Sequence, residues 1–191
     1  MAEKKRIGIA LTGSFCTLKK VLDVLELLRG KYEFFPIMSQ AVYQSDTRFG
    51  TAAHFKERFS ALCGKEIWHT VAQAEPIGPK KILDALVIAP CTANTLAKLA
   101  LGVTDTAVTM AAKAILRNDR PIIIGLSTND ALGGAARNIG ALQSARHYYF
   151  IPYGQDDPFL KPRSCVAHFE LLEQTLESAL KGEQLQPILK A

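Results

Sequence analysis

Three apolar runs in this 191-residue chain are each followed closely by a short polar segment. The segments are Thr12-Gly13-Ser14, Thr92 to Thr95 and Ser127 to Asp130. Glycine lets a backbone approach an anion closely, and hydroxyl groups and helix N-terminal amides donate hydrogen bonds to it. Asn94 can donate and accept at once, which suits a flat polar ligand. Helix capping explains each segment taken singly, but the three together indicate one binding site.

Familiar nucleotide and metal motifs are absent from the sequence. It lacks the GxGxxG loop, the GxxxxGK[ST] loop and HExxH, and its four cysteines form no CxxC pair, so we expect no metal site. His54 and His69 are candidates for acid–base chemistry, because imidazole titrates near neutral pH, although a lone histidine is more often a surface residue. Arg48 and Arg137 are candidates for carboxylate binding, with a solvated side chain as the alternative for each.

Apolar runs alternate with helical patterns along the chain. Strands are predicted at residues 7–11, 32–38, 85–89, 121–126 and 148–152. A first helix is predicted between Ser14 and Gly30, with Val21, Leu25 and Leu28 on one face, and further helices at 54–62, 92–101, 105–117, 141–146 and 166–180. Loops are predicted at 39–53 and 154–164. Pro36 places the second strand at an edge or a bulge, and Pro90 is expected to end the third. The alternation predicts a three-layer, doubly wound parallel α/β sheet, flavodoxin- or Rossmann-like, in a single domain over 1–191. Ligands of such sheets bind beyond the carboxyl ends of the strands.

The composition is that of an ordinary globular protein, with 48% hydrophobic and 21% charged residues. The net charge of +5 mildly favours anionic ligands, but the basic residues are scattered and do not indicate nucleic acid. No stretch of about 20 apolar residues is present, so we expect no membrane span. The opening residues lack the pattern of a secretory signal, and we therefore expect a cytoplasmic protein whose cysteines are reduced and buried.

Two motifs resemble those of a known family. Pro90, Ala93, Asn94 and Thr95 match a Pro-x-x-Ala-Asn-Thr motif, and the segment Gly102 to Asp105 matches the Gly-x-x-Asp continuation, of the flavoprotein family of FMN-binding cysteine decarboxylases and prenyl-flavin synthases. The resemblance implies bound FMN and assembly into trimers or dodecamers. We expect Asn94 and His54 to be catalytic and Arg48 and Arg137 to hold substrate carboxylates. The expected cofactor-binding residues are Thr12, Gly13, Ser14, Ser39, Pro90, Thr92, Asn94, Thr95, Ser127 and Asn129.

One segment departs from the family pattern. The decarboxylases carry Pro-x-Met-Asn where this chain has Leu126-Ser127-Thr128-Asn129-Asp130, which disfavours decarboxylation. Over its whole length the chain resembles members from spore-forming bacteria that pair with a second chain similar to nicotinamide-binding dehydrogenases. That resemblance implies one component of an oxidoreductase for a cyclic pyridine-type dicarboxylate during sporulation, with FMN here and NADP or NAD in the second chain. A non-catalytic assembly partner and a flavin-dependent decarboxylase are the alternatives.

Overall fold

The computed structural model describes residues 3–190, which form one mixed sheet flanked by helices. The strands are β1 (Arg6–Leu11), β2 (Glu33–Met38), β3 (Ala85–Cys91), β4 (Ile122–Thr128), β5 (Tyr148–Phe150), β6 (Tyr153–Gln155) and β7 (Cys165–Ala167). The helices are α1 (Phe15–Leu27), α2 (Gln40–Gln44), α3 (Ala52–Cys63), α4 (Val71–Ala74), α5 (Ala93–Ala100), α6 (Ala107–Leu116), α7 (Ala136–Gln143) and α8 (Leu172–Ala179).

The strand order is β2-β1-β3-β4-β7-β6, and β5 pairs with the first half of β4. β1 to β5 are parallel, as the alternating pattern predicts. β7 runs antiparallel to both β4 and β6, and neither β6 nor β7 was predicted. Each has three residues, which is too short to show the alternation that marks a strand in sequence.

Every residue of β3 is buried, which explains its continuous apolar sequence. The strand runs through Pro90 to Cys91, so the expectation that Pro90 ends it is wrong. Pairing with β4 shifts register between Ile88 and Cys91 and then resumes, with Cys91 opposite Leu126. Proline lacks a backbone donor, and this shift lets the strand continue past it.

The helices pack on the sheet in two groups. Right-handed crossovers put α1 on one face and α4, α5, α6 and α7 on the other. α3 packs against α1 and β2, and its Arg58 guanidinium lies 2.6 Å from the Asp23 carboxylate of α1. In agreement, α4 contacts α6 and α5 contacts α7, while α1 contacts the short 3-10 turn Phe169–Leu171 that precedes α8. The alanine-rich sequence of α6 is buried along most of its length, which lets the helix lie close to its neighbours.

Several helices differ from the sequence prediction. The helix predicted at 166–180 begins only at Leu172, because residues 165–167 form β7 against β4 and Phe169–Leu171 form a 3-10 turn. The short helix α4 was not predicted.

α2 lies in a segment predicted to be a loop, and the Ser39 hydroxyl accepts the Val42 N–H at its start. α7 covers residues 136–143, earlier in the chain than the predicted helix at 141–146. Only Ile139 and Leu142 of this helix are buried. Two apolar residues give a weak helical pattern, and for this reason the sequence did not indicate where the helix begins.

Both edges of the sheet are covered by irregular chain. Pro36 lies in the edge strand β2, as predicted, and Trp68 pairs along the outer side of that strand through bonds to Pro36 O and from Met38 N, both 2.9 Å. At the other edge, the segment 188–190 pairs with Tyr153 of β6. Among residues 3–190, none of the helices combines the length and the apolar composition that a membrane span requires.

Candidate functional site

Thr12 joins the carboxyl ends of β1 and β3. Its buried hydroxyl donates to the Pro90 carbonyl oxygen at 2.7 Å and accepts the Thr92 N–H at 3.1 Å. The side chain therefore satisfies two backbone groups where the neighbouring strands turn into their helices. Thr12 is a connector between two of the predicted polar segments, and Pro90 contributes through its carbonyl.

A cluster of three hydroxyls joins the first polar segment to the third. The Ser14 and Ser127 hydroxyl oxygens lie 2.7 Å apart, and the Thr17 hydroxyl lies 3.1 Å from that of Ser127. Ser127 is 3% exposed at the end of β4. Ser14 is the N-cap residue of α1, yet within the described chain its side chain makes no capping bond and reaches toward β4 instead. We call Ser14, Thr17 and Ser127 the hydroxyl cluster.

The start of α1 completes the surroundings of the hydroxyl cluster. α1 is 13 residues long and its first turn, Phe15 to Thr17, carries no acidic side chain. Gly13 precedes it, and a methyl group there would already contact Ala41 and Phe15 at 3.6 Å. Hydroxyl donors, helix N-terminal amides and a backbone without a side chain form the chemistry of a phosphate cradle.

The second polar segment forms the start of α5. The Thr92 hydroxyl accepts the Thr95 N–H at 3.3 Å, so Thr92 is a helix cap, which is the alternative that the sequence left open. Thr95 is buried and its hydroxyl lies 3.1 Å from that of Thr92. Asn94 is exposed on the first turn, where its amide is open to a ligand.

Ser39 brings the end of β2 to the same side of the sheet. Its N–H donates to the Leu11 carbonyl oxygen at 3.0 Å, beside the turn that holds Thr12. The carboxyl ends of β1, β2, β3 and β4 thus meet along one edge, with Ser39, Thr12, Thr92 and Ser127 at the four ends. We call this edge the crevice.

His69 and His54 lie in different surroundings. His69 follows Trp68, the partner of Met38 at the end of β2, and its ring stacks on Tyr43 of α2 with centroids 3.7 Å apart. Its Nδ1 is buried and has no hydrogen-bond partner among residues 3–190. Both rings border a cavity of about 480 Å³. His54 is exposed on the first turn of α3 and touches Phe55 edge-on.

The two predicted carboxylate-binding arginines are exposed. The Arg48 guanidinium lies over the Phe49 ring, 4.8 Å from its centroid, in the loop between α2 and α3. Arg137 lies in the first turn of α7. Neither is hydrogen-bonded to the hydroxyl cluster in the part of the chain that the structure describes. Both arginines are therefore open to a ligand, but neither contacts the hydroxyl cluster in the described structure.

Asp130, the last residue of the third polar segment, organises the turn after β4, although it was not predicted as a site residue. Its N–H donates to the Thr128 hydroxyl at 3.2 Å, and its carboxylate accepts the Gly134 N–H at 3.0 Å. The Asp130 carboxylate oxygens lie where side chains at Gly133 and Gly134 would stand, so both glycines are needed for this close approach. Asn129 is exposed at the tip of the turn. An Asp followed within four residues by Gly-Gly was the signal available in the sequence.

The cysteines and acidic side chains are too dispersed to form a metal centre. Among residues 3–190 no group of three or more His, Cys, Asp or Glu side chains could hold a metal ion. Cys91 and Cys165 are buried, as expected, and burial raises the pKa of each thiol. Cys16 is exposed at the start of α1, contrary to the expectation that the cysteines are buried.

The sequence pattern of the Flavoprotein family matches residues 1–155 of the chain. The chain belongs to this family. A flavoprotein relative, the B subunit of dipicolinate synthase from Bacillus subtilis strain 168, is 49% identical over 186 residues, which cover 97% of this chain and 93% of the relative.

Solved structures agree with that assignment. The crystal structure of the dipicolinate synthase B subunit from Bacillus halodurans superposes with a TM-score of 0.89 at 43% identity, covering 98% of this flavoprotein and 96% of that chain. The FMN-dependent cysteine decarboxylase SpaF superposes with a TM-score of 0.70 at 22% identity, covering 92% and 97%. The second likeness extends to the fold alone, a Rossmann-like α/β sheet.

Proposed function

We propose that this flavoprotein is the B subunit of a dipicolinate synthase. With the A subunit of that enzyme it would form dipicolinic acid from a dihydro- or hydroxytetrahydro-dipicolinate intermediate during sporulation, in the cytoplasm. The observation that carries the proposal is the 49% identity to a protein of that name over almost the whole chain. The crevice supports it, because it offers sites for an anionic and planar ligand.

The hydroxyl cluster fits the phosphate of FMN. Ser14, Thr17 and Ser127 can turn their hydroxyl hydrogens toward phosphate oxygens, while the first-turn amides of α1 supply fixed donors. Ser39 and Asn129, at the ends of β2 and β4, would lie on either side of the rest of the cofactor. Thr92 and Thr95 would line the cofactor site at the end of β3. Bound FMN would supply a two-electron acceptor. The FMN-dependent SpaF has the same fold and is consistent with this assignment.

The proposed reaction makes the substrate ring aromatic, and this requires residues that orient the ring and bind its carboxylates. Converting a dihydropyridine dicarboxylate into a pyridine dicarboxylate removes a hydride equivalent and a proton, and a hydroxytetrahydropyridine must also lose water. Asn94, exposed on the first turn of α5, would orient the ring by donating and accepting hydrogen bonds. Arg48 and Arg137 would hold the two carboxylates, for which the net charge of +5 is favourable.

A histidine would take the proton. His54 is the residue that the sequence favoured, and its exposed ring could act only if substrate or another protein chain covers it. His69 is the better placed of the two, since it lies beside the end of β2 and its ring borders a cavity. The hydride would pass to FMN, or to NADP or NAD held by the partner chain. Assembly into a homo-oligomer, a trimer or dodecamer, would bring further residues to the crevice.

Reconstitution tests the proposal. The chain is mixed with its dehydrogenase-like partner, the A subunit, with and without FMN and NADP, and the ultraviolet absorption of the aromatic product is followed. Product that requires both chains supports a dipicolinate synthase. Asn94→Ala and Arg48→Ala variants then separate a catalytic role from an assembly role, because unchanged rates in both would leave the redox chemistry to the partner chain. Release of carbon dioxide from a cysteine-containing substrate would instead indicate the decarboxylase.

A further inference from the structure

The connection between β6 and β7 returns to the crevice. β7 pairs antiparallel with the end of β4, with Val166 opposite Ser127 and Cys165 opposite Thr128. The backbone just before β7 is also fixed, because the Leu132 N–H donates to the Arg163 carbonyl oxygen at 3.0 Å. Arg163 is therefore held against the turn that follows β4.

The Arg163 side chain packs beside that turn. A methyl group built on Gly133 would lie 3.5 Å from the Arg163 Cδ, so the stem of the arginine passes over the glycine. Arg163 is exposed and makes no ion pair with any residue between 3 and 190. A guanidinium in this state is free to bind a carboxylate in a paired geometry.

Lys161 provides a second cation on the same connection. Its Nζ lies 3.1 Å from the Asp156 carboxylate, and Asp156 together with the neighbouring Asp157 raises the pKa of Lys161. Lys161 lies two residues before Arg163 on the connection between β6 and β7.

We propose that Arg163 determines specificity by binding the second carboxylate of the substrate. The inference rests on the proposed function and changes one part of it: Arg163 would bind one of the two carboxylates that were assigned above to Arg48 and Arg137. Neither cation lies in a motif that marked the site in sequence. Arg163 lies beside the turn at the end of β4 only because β7 pairs with β4.

Ligand discrimination tests this role apart from turnover. Isothermal titration of the wild-type chain is carried out with pyridine-2,6-dicarboxylate and with pyridine-2-carboxylate. We expect at least about tenfold tighter binding of the dicarboxylate, and Arg163→Ala should reduce that preference to about threefold or less. Arg163→Lys should retain part of it, and Lys161→Ala should weaken it less. Arg146→Ala, an exposed arginine near the opposite end of the sheet, is the matched control and should behave as wild type.

The outcomes separate the two claims. If the wild type prefers the dicarboxylate and Arg163→Ala keeps that preference, the role of Arg163 is wrong while the proposed function stands. If the wild type binds neither pyridine acid, even when the dehydrogenase-like partner is present, the proposed function itself is wrong and the inference with it. Thermal unfolding and FMN titration of each variant, both expected unchanged, show that a lost preference reflects ligand recognition and not a misfolded chain.

Discussion

Ser14 and Ser127 are 113 residues apart in sequence, yet their hydroxyl oxygens lie 2.7 Å from each other at the carboxyl ends of β1 and β4. β3 lies between these two strands in the sheet. The contact therefore spans the crevice above β3 and brings the first and third polar segments together. Two hydroxyls in this arrangement can each satisfy the other or turn toward an anion placed between them and α1.

Removing the Ser127 hydroxyl should weaken FMN binding. Ser127→Ala deprives both Ser14 and Thr17 of a hydrogen-bond partner at a buried position, so we expect a loss of about 1 kcal/mol in stability and roughly tenfold weaker FMN binding. Urea unfolding and flavin fluorescence quenching measure the two effects. Ser144→Ala is the control, since within residues 3–190 the Ser144 hydroxyl bonds only to carbonyls of α7. Equal FMN affinity in both variants would count against the cluster.

Thr12 should be a stability determinant. Thr12→Val keeps the side-chain shape but leaves the Pro90 carbonyl and the Thr92 N–H without their partner, at a cost of about 2–4 kcal/mol in the free energy of unfolding. Thr175→Val offers a matched control, because that buried hydroxyl bonds to a carbonyl one turn earlier in the chain and should cost less than about 1 kcal/mol. Similar losses in the two variants would contradict the connector role of Thr12.

Asp84 should make the free energy of unfolding depend on pH in the acid range. Burial acts to raise its pKa, but the Arg6 backbone N–H at 2.8 Å, the Arg6 guanidinium and Arg120 outweigh burial and hold the pKa below its ordinary value of 3.8. A lowered folded-state pKa contributes stability that is present above about pH 4 and is lost as the pH falls through the folded value.

Asp84→Asn therefore removes stability at pH 7 and little at the lowest pH. We expect the free energy of unfolding to fall by about 1–2 kcal/mol at pH 7. Urea unfolding at a series of pH values between 7 and 3 measures this loss. Glu183→Gln, at an exposed position, should follow the wild-type curve throughout. If the free energy of unfolding of Asp84→Asn differs from that of the wild type by the same amount at every pH in this range, the charge of the Asp84 carboxylate does not stabilise the fold.

Two glycines should respond oppositely to alanine. A methyl group on Gly125 would lie 2.7 Å from the Ala89 Cβ and 2.9 Å from Phe169, in the buried centre of the sheet, so Gly125→Ala should destabilise by about 1–3 kcal/mol. Gly140 lies in the middle of α7, where the described chain leaves open space around it, and Gly140→Ala should stabilise by about 0.5–1 kcal/mol. Thermal unfolding of both variants checks the opposite signs, and two shifts of the same sign would refute the packing described.

The parallel part of the sheet was predictable because its strands are long and buried. β1, β3 and β4 are continuous apolar runs, and Pro36 correctly marked β2 as an edge strand. β6 and β7 were not predictable, since three residues carry no periodicity and their pairing depends on β4, which is distant in sequence. The same holds for α2, whose five residues were hidden in a polar segment.

The site was predictable as a set of strand ends but not as a set of contacts. A serine before a helix usually caps it, so nothing local indicated that Ser14 would bond to Ser127 instead. Thr92 follows the local rule and caps α5. Thr17 and Asp130 were not predicted as site residues. Their roles depend on contacts with Ser127 and with the glycines at 133 and 134, which are seen only in the folded chain.

The most direct test of the crevice as a flavin site compares FMN with riboflavin, which lacks the phosphate. Both are titrated into the wild-type chain and into Ser14→Ala, and binding is followed by quenching of flavin fluorescence. We predict that the wild type binds FMN about 100-fold more tightly than riboflavin, as two charge-assisted hydrogen bonds would give, and that Ser14→Ala narrows the difference to about tenfold. Equal affinity for the two flavins, or no binding of either, would contradict the assignment of the crevice to FMN.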